Sequence, residues 1–259
     1  MGFEYASRAS KGARDYQEDA IAIHALANDG AVSEAANGSA SRLAVVLADG
    51  MGGHAGGARA SAIACGHFLA AYAQTQGETP QRLAQSLEIA NLGIFEEVEA
   101  NPALNGMGCT LVGTVFGADG IEWISVGDSP LFLVRKHEIV VLNEDHSLAP
   151  EIDKLAEAGK ISWEEAQADP RRHFLRSALT GGDIELVDAS VRPLALQAGD
   201  IVILSSDGIH TLGHDDIRDV AVGQAARGPA AIAEGLLEHV AARRQPYQDN
   251  TTIVVALVR

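Results

Sequence analysis

The sequence has few basic residues and no long apolar run, and each of these features excludes a class of function. Its 259 residues include 19 Lys and Arg against 35 Asp and Glu, which gives a formal net charge of −16. Nucleic acids and anionic membranes need a basic face, so both are disfavoured as partners. No apolar stretch approaches the roughly 18 residues that a membrane-spanning helix requires. The sequence therefore predicts neither nucleic-acid binding nor a membrane span.

Cysteine is scarce as well, with only Cys65 and Cys109. They lie far apart and match no zinc, redox or disulfide-framework spacing. Their apolar surroundings favour buried, reduced thiols. The first twenty residues contain no apolar segment that could serve as a signal peptide, and Ala6 stands where N-myristoylation needs Ser or Thr. We therefore expect a cytoplasmic protein.

Aromatic residues make up only 5% of the chain, whereas 47% is apolar and 27 residues are glycine, so we expect a globular protein rich in tight turns. Short apolar runs and alternating patterns predict strands at 20–26, 43–48, 109–117, 120–129, 185–194, 201–206 and 251–258, and a hairpin at 131–142. Apolar residues at helical spacing predict helices at 57–74, 80–100, 214–222 and 229–244. Residues 28–41 are rich in Gly, Ser and Asn and predict a loop.

The order of these segments predicts the fold class. Strands follow one another at short intervals and the helices are grouped, which is typical of antiparallel sheets. We expect an α+β fold in which two antiparallel sheets form a β-sandwich flanked by helices, in αββα layers. Residues 150–170 are polar and helix-prone, which indicates a small helical insertion packed on the main body. With no repeat and no linker, the sequence predicts a single domain over 1–259.

Acidic residues recur where predicted strands begin or end. In the stretch VVLADGMGGHAGG, Asp49 follows a buried strand directly, and five of the next eight residues are glycine. The carboxylates in such places are Asp49, Asp128 and Asp207 at strand ends, and Glu18, Asp19 and Asp249 at strand starts. In an antiparallel sheet the end of one strand lies beside the start of its neighbour. These carboxylates can therefore converge on one rim of the fold.

A cluster of carboxylates is tolerable only where cations neutralise it. Ligation by oxygen alone points to Mg²⁺ or Mn²⁺, and no His/Cys spacing indicates zinc. Glycine after Asp49 lets the backbone turn sharply and brings a carbonyl within reach of an ion. Asp-Gly after a strand is also a common turn signal, so a single occurrence is weak. The repetition is what favours a metal centre, with Asp49 as a ligand.

The ordered motifs of the chain resemble those of the metal-dependent protein phosphatases, the PPM or type 2C serine/threonine phosphatases, in their bacterial branch. They are Arg14-x-x-x-Glu18-Asp19-Ala20, Asp49-Gly50-Met51-Gly52-Gly53-His54, Gly108-x-Thr110, Gly127-Asp128-Ser129, Asp207-Gly208 and Asp249-Asn250. Each motif is short, but the ordered set covers nearly the whole chain. The resemblance implies a β-sandwich flanked by helices, with a binuclear Mn²⁺/Mg²⁺ centre at one end and a flap region over 147–180 beside it.

The resemblance also implies the two tightly bound ions and their ligands. Asp49 would bridge both ions. The carbonyl of Gly50 would join one of them, and Glu18 would support the same side through water. Asp207 and Asp249 would hold the other ion.

Further roles follow from the same resemblance. Asp128, together with Asp207, corresponds to a third and weaker ion site in bacterial members. Arg14 corresponds to the arginine that holds the substrate phosphate. The residues expected to contact the ligands rather than the ions are Asp19, His54 and Asn250.

Three positions depart from the family pattern. Pro130 replaces the arginine that ends the GDSR-like motif, Gln17 stands where asparagine is frequent, and Met51 stands where many eukaryotic members have histidine. The general acid consequently stays open between His54 and a metal-bound water, of which we favour the water.

The resemblance implies hydrolysis of phosphoserine and phosphothreonine in proteins by a water that bridges the two ions. The partners would be a serine/threonine kinase and its substrates. One alternative is a catalytically weak binding module with the phosphatase fold, which the presence of Asp49, Asp207 and Asp249 disfavours. Another is a two-metal phosphodiesterase or nuclease, which the net charge of −16 disfavours.

Overall fold

The structure is a computed structural model that describes residues 1–26, 32, 33, 36–53 and 55–259. The helices are α1 (Ala55–Gln74), α2 (Thr79–Ala100), α3 (Ala149–Glu157), α4 (Trp163–Ala168), α5 (His214–Gln224) and α6 (Pro229–Ala242). The strands are β1 (Phe3–Ser10), β2 (Ala20–Leu26), β3 (Val32–Ser33), β4 (Asn37–Ala40), β5 (Arg42–Ala48), β6 (Gly50–Met51), β7 (Gly108–Cys109), β8 (Leu111–Gly117), β9 (Gly120–Val126), β10 (Leu131–Arg135), β11 (Glu138–Val141), β12 (Asp188–Ala189), β13 (Ile201–Ser205) and β14 (Thr251–Val258).

The strands form two large sheets and one small pair. The first sheet has the order β11-β10-β13-β14-β1-β4, and the second has the order β12-β9-β8-β5-β2-β3. The short strands β6 and β7 pair beside them. Every pairing between these strands is antiparallel.

Strand β5 shows why the sheets stack in layers. Along β5, Leu43, Val45 and Leu47 point into the core between the two sheets. The alternate residues Val46 and Ala48 point into the core beneath α1 and α2. A strand buried on both faces reads as a continuous apolar run, which is the LAVVLA pattern. β5 therefore belongs to an inner layer.

Strand β14 occupies the same place in the other sheet. Val254 and Ala256 face the core between the sheets, whereas Val255 and Leu257 face the core shared with α5 and α6. The layers therefore run helices, sheet, sheet, helices, which confirms the predicted αββα sandwich. None of the helices in the described part of the chain combines the length and the apolar character that a membrane crossing needs.

Two predictions about the peripheral segments were wrong. Of the strand predicted at 185–194, only Asp188–Ala189 forms a strand, paired with β9. Val187 and Val191 are exposed, and this segment lies at the edge of its sheet, beside β9. The predicted loop 28–41 contains β3 and β4, the second of which pairs with β1; the rest of that loop lies partly outside the described residues.

The segment that follows the β10–β11 hairpin carries two short helices, α3 and α4, and a 3-10 turn at Pro170–His173. The helices share a small apolar cluster of their own, which comprises Leu148, Ile152, Ala156, Ile161 and Ala166. Ser162 and Glu165 form a capping box at the start of α4. The helical insertion predicted at 150–170 is present as these two helices.

Candidate metal centre and phosphate cleft

One cleft, of about 840 Å³, collects most of the predicted site residues. Those that line it are Arg14, Glu18, Asp49, Gly50, Asp128, Asp207, Asp249 and Asn250. Asp19 is behind the cleft wall, where its carboxylate accepts a hydrogen bond from Ser206 Oγ at 2.8 Å. His54 lies outside the described residues. The antiparallel topology thus brings together acidic residues that are up to about 230 positions apart, as in Glu18 and Asp249.

The backbone of Asp49 is fixed from both sides by Thr110. Thr110 N donates to Asp49 O at 2.8 Å, and Asp49 N donates to Thr110 Oγ1 at 3.0 Å. Thr110 Oγ1 is also 2.7 Å from Ser129 Oγ, the residue after Asp128. Thr110 and Ser129 therefore link the segments of two acidic residues. Their motifs were visible in the sequence, but this linking role was not.

The glycines after Asp49 permit close packing between the first helix and the strand start that carries Glu18. A Cβ at Gly50 would overlap the carbonyl oxygen of Gly57, and a Cβ at Gly57 would overlap Oε1 of Glu18. Small residues at both positions are therefore required by the space. The glycine-rich stretch VVLADGMGGHAGG thus brings α1 against Glu18.

The acidic rim of the cleft is formed by Glu18, Asp49, Asp128, Asp207 and Asp249. Like charges dominate its electrostatics. Burial raises the pKa of Asp49 well above its ordinary value, and the nearby carboxylates of Asp19 and Asp207 raise it further. Burial, then Asp207 and Asp145, raise the pKa of Asp128 to about 8. Burial, then Asp249 and Asp19, raise the pKa of Asp207 to about 6. Charge repulsion of this kind is relieved when a cation binds.

Two buried oxygens point to the same conclusion. Oδ1 of Asp19 and Oδ1 of Asp207 are inaccessible to solvent and accept no hydrogen bond from the described residues. A buried carboxylate oxygen without a partner is costly unless something fills the position. All the candidate donors here are oxygen atoms, which suits Mg²⁺ or Mn²⁺. The residues therefore fit the predicted ions.

The carboxylates of the cleft do not form a ready-made metal cage. Within the described ranges, no three His, Cys, Asp or Glu side chains already enclose a common point. Mg²⁺ is commonly bound through one or two carboxylates and keeps several waters, so a full protein cage is not required. Ions in this cleft would therefore use protein, water and substrate oxygens together.

Arg14 approaches the rim through an ion pair. Its guanidinium donates to Oδ2 of Asp249, and the two side chains are 46% and 40% exposed. Although burial lowers the pKa of Arg14, its contacts with Asp249 raise it overall, so the guanidinium is charged. The predicted phosphate-binding residue and a predicted ligand are therefore in direct contact.

Asn250 fastens the segment that carries Arg14 and Glu18. Its Oδ1 accepts from Glu18 N at 2.8 Å, and its Nδ2 donates to the carbonyls of Lys11 and Tyr16, each at 3.0 Å. The side chain of Asn250 thus positions the loop before β2 without needing to touch an ion.

The opposite wall of the cleft comes from the segment after the 3-10 turn at Pro170–His173. Phe174 and Arg176 line the cleft, and Phe174 is 61% exposed. This wall is anchored to β7, because Cys109 and Leu179 exchange backbone hydrogen bonds at 3.0 and 2.9 Å. It provides an apolar and a basic group beside the acidic rim.

Comparison with known proteins identifies the family of this chain. The family model described as protein phosphatase 2C matches residues 19–222. The chain belongs to the protein phosphatase 2C family. It is 33% identical over 219 residues to the serine/threonine protein phosphatase PstP of Mycobacterium tuberculosis, an alignment that covers 82% of this chain and 40% of PstP. The chain therefore spans about two fifths of the length of that relative.

A second relative is of more similar length. The chain is 32% identical over 186 residues to the protein phosphatase PhpP of Streptococcus pneumoniae, which covers 70% of this chain and 73% of PhpP. The crystal structure of Mycobacterium tuberculosis PstP matches with a TM-score of 0.79 and 28% identity over 100% of both chains. Another structure of the PstP catalytic domain, in complex with two manganese ions, matches with a TM-score of 0.76 and 28% identity, and covers 100% of this chain and 99% of that one.

Proposed function

We propose that this chain is a metal-dependent protein serine/threonine phosphatase that hydrolyses phosphoserine and phosphothreonine in proteins. The observation that carries the proposal is the cleft, in which five of the six predicted carboxylates meet beside an arginine. Two relatives are described as protein phosphatases. The manganese-bound structure of PstP supports the extension to Mn²⁺, with Mg²⁺ as the alternative ion.

The proposed metal ligands are the residues at the metal-binding positions of the family motifs. Asp49 would contact both ions, with the Gly50 carbonyl and Glu18 on the side of one ion and Asp207 and Asp249 on the side of the other. When bound, two such ions would polarise the phosphoryl oxygens and lower the pKa of water. Phosphomonoester hydrolysis is extremely slow without a catalyst, so both effects are needed.

Asp128 would hold a third, weaker ion together with Asp207. Asp19 supports the ligands from behind, through its hydrogen bond with Ser206. Asn250 does so through its contact with the backbone of Glu18.

Arg14 would hold the substrate phosphate. Guanidinium forms a bidentate, charge-assisted fork with phosphoryl oxygens, which a lysine does not reproduce. The side chain is 46% exposed, so a substrate can reach it despite the ion pair with Asp249. A phosphate dianion then competes with Asp249 for the same donors.

The alternatives that share the fold are less consistent with these residues. A binding module without catalysis has no need of Asp49, Asp207 and Asp249 together, each in the same cleft. A nuclease or phosphodiesterase acting on nucleic acid would need a basic face, whereas this chain has a formal net charge of −16.

The wider setting is part of the same proposal. The chain acts as one catalytic domain with a flap over 147–180, in the cytoplasm of a bacterium, on the substrates of a serine/threonine kinase. The support is the family membership over residues 19–222 and the bacterial origin of the relatives.

Phosphate release from phosphopeptides tests the function. We expect release from phosphoserine and phosphothreonine peptides in Mn²⁺, little release from phosphotyrosine peptides, and none in EDTA. Single-stranded DNA and a diester substrate serve as controls for the nuclease alternative. Preference for the diester, or no turnover of any phosphopeptide in Mn²⁺, would overturn the proposal.

A further inference from the structure

Gln248 is a buried polar residue at the meeting point of three segments of the site. It is 9% exposed and directly precedes Asp249. Its side chain does not line the cleft, so it does not act on a substrate directly. Gln248 lies outside the family motifs, and its role in the site follows from its contacts in the structure.

The first set of contacts reaches the turn that carries Asp207. Nε2 of Gln248 donates to the carbonyl of Gly208 at 3.0 Å, and Oε1 accepts from Thr211 Oγ1 at 2.6 Å. The 3-10 turn Asp207–Thr211 is therefore held at both of its ends by one amide. An amide offers both a donor and an acceptor, and both are used here.

The second set of contacts reaches the loop that carries Arg14. Ala13 N donates to the backbone carbonyl of Gln248 at 2.8 Å. A Cβ at Gly12 would lie only 2.5 Å from that carbonyl oxygen, and φ of Gly12 is +59°. Glycine at position 12 thus allows the loop to approach Gln248 closely.

We propose that Gln248 is a positioning residue whose side chain fixes the Asp207 turn relative to Asp249, while its backbone carbonyl holds the Arg14 loop beside them. This role rests on the proposed function, because it concerns the same ligands and the same phosphate-binding arginine. Gln248 acts through Asp207 and Asp249 and does not contact an ion itself. Residues that orient metal ligands typically change metal affinity by ~10–100-fold when they are removed.

The direct test uses Gln248→Met, which has a similar length but lacks both hydrogen-bonding groups. Mn²⁺ binding to the purified, metal-stripped chain is measured by calorimetry, together with the thermal unfolding midpoint. We expect Mn²⁺ affinity to fall by ~10-fold or more. Wild-type Mn²⁺ affinity in Gln248→Met would overturn the proposal.

A milder variant guards against simple loss of folding. Thr211→Val removes only the hydroxyl that donates to Oε1, and we expect it to weaken Mn²⁺ binding by a few fold, ~3-fold for one neutral hydrogen bond. In Gln248→Met/Thr211→Val the two effects should be clearly less than additive, because both report the same contact. Full additivity would show that Gln248 does not act through the turn.

Thr114→Val provides the matched control. Thr114 is fully buried and makes one weak hydrogen bond, Oγ1 to Val45 O at 3.4 Å, within the second sheet. Mn²⁺ affinity should be unchanged even where the unfolding midpoint falls. An equal loss of Mn²⁺ affinity in Thr114→Val would reduce Gln248 to a general contribution to stability.

The two proposals fail in different ways. If the wild type binds Mn²⁺ but releases no phosphate from phosphopeptides, the function is wrong, and the calorimetry still decides the role of Gln248. If the wild type is active and Gln248→Met keeps its Mn²⁺ affinity, only the role of Gln248 is wrong.

Discussion

The acidic rim and residues 147–180, the proposed flap, face each other across one cleft, yet they are built differently. Asp49 and Asp207 follow strands that are buried on both faces in the sandwich. The flap helices α3 and α4 share only a small cluster, and an ion pair between Arg176 and Glu151 links the cleft wall to α3. The side chains of that pair are 38% and 50% exposed, and exposed pairs of this kind contribute little.

This difference predicts which mutations should have the largest effects on hydrolysis. Groups on the rim are placed by the two cores and by a network of buried hydrogen bonds, so their geometry is determined by the whole fold. Groups on the flap depend on a few local contacts. We therefore expect the rim to govern hydrolysis and the flap to govern which phosphoproteins are accepted.

The largest expected effect is at Asp49. Asp49→Asn keeps the shape and removes the charge that would be shared by two ions, so turnover should fall by much more than the ~10–100-fold of a residue that only orients a ligand. Phosphate release and circular dichroism are measured on the purified variant. Near-normal activity with an unchanged spectrum would contradict the assignment of Asp49.

Arg14 should show the next largest effect. Hydrogen bonds to charged groups contribute about 1.5–3 kcal/mol, which corresponds to roughly 10–150-fold in affinity or rate. Because substrate and transition state both present phosphoryl oxygens, Arg14→Ala should raise KM clearly, with a smaller fall in kcat and with metal content unchanged. Arg8→Ala is the control, since Arg8 pairs with Glu234 outside the cleft. Unchanged KM and unchanged kcat/KM would make Arg14 an ordinary surface residue.

Asp128 should have a smaller effect, which separates the weaker ion from the essential pair. Asp128→Ala should reduce turnover by ~10-fold, within the range for groups that support a metal site, and leave two ions tightly bound. The number of bound ions is counted by calorimetry, with Asp119→Ala, at the β8–β9 turn, as the control. Loss of both tight sites would place Asp128 among the principal ligands.

The flap should show the smallest effect, and one that depends on the substrate. Arg176→Ala should change the preference between phosphopeptides by up to ~5-fold, and leave hydrolysis of a small aryl phosphate unchanged. Arg171→Ala is the matched control, because Arg171 pairs with Asp169 in the same segment but does not line the cleft. Equal losses on peptides and on the aryl phosphate would contradict the division of roles.

The sequence could predict the layers because buried strands and helices leave a strong periodic signal. The range 251–258 was predicted as a strand and forms β14 over the same residues. The β10–β11 hairpin was also predicted, and its turn residues Lys136 and His137 have positive φ. The strand predicted at 185–194 is mostly absent because alternation alone does not specify a partner strand. Within this segment the strand pairing with β9 covers Asp188–Ala189, and Leu194 adds an isolated bridge.

The candidate site was predictable to a similar extent. Acidic residues beside strand ends could be found by inspection, because antiparallel pairing places such positions together. The network that orients them could not, since Thr110, Ser129 and Gln248 are ordinary polar residues in the sequence. The hydrogen bonds around the site join residues up to 239 positions apart, such as Asn250 and Lys11. Such contacts are determined by the three-dimensional fold, so local sequence patterns do not predict them.

The most direct test is a Mn²⁺ titration of the metal-stripped chain, in which ion binding and phosphate release from a phosphothreonine peptide are followed in parallel. We predict that release appears as two ions bind, disappears in EDTA, and stays absent in Asp49→Asn at any Mn²⁺ concentration. Phosphate release that persists in EDTA, or that proceeds normally in Asp49→Asn, would contradict metal-dependent hydrolysis at Asp49.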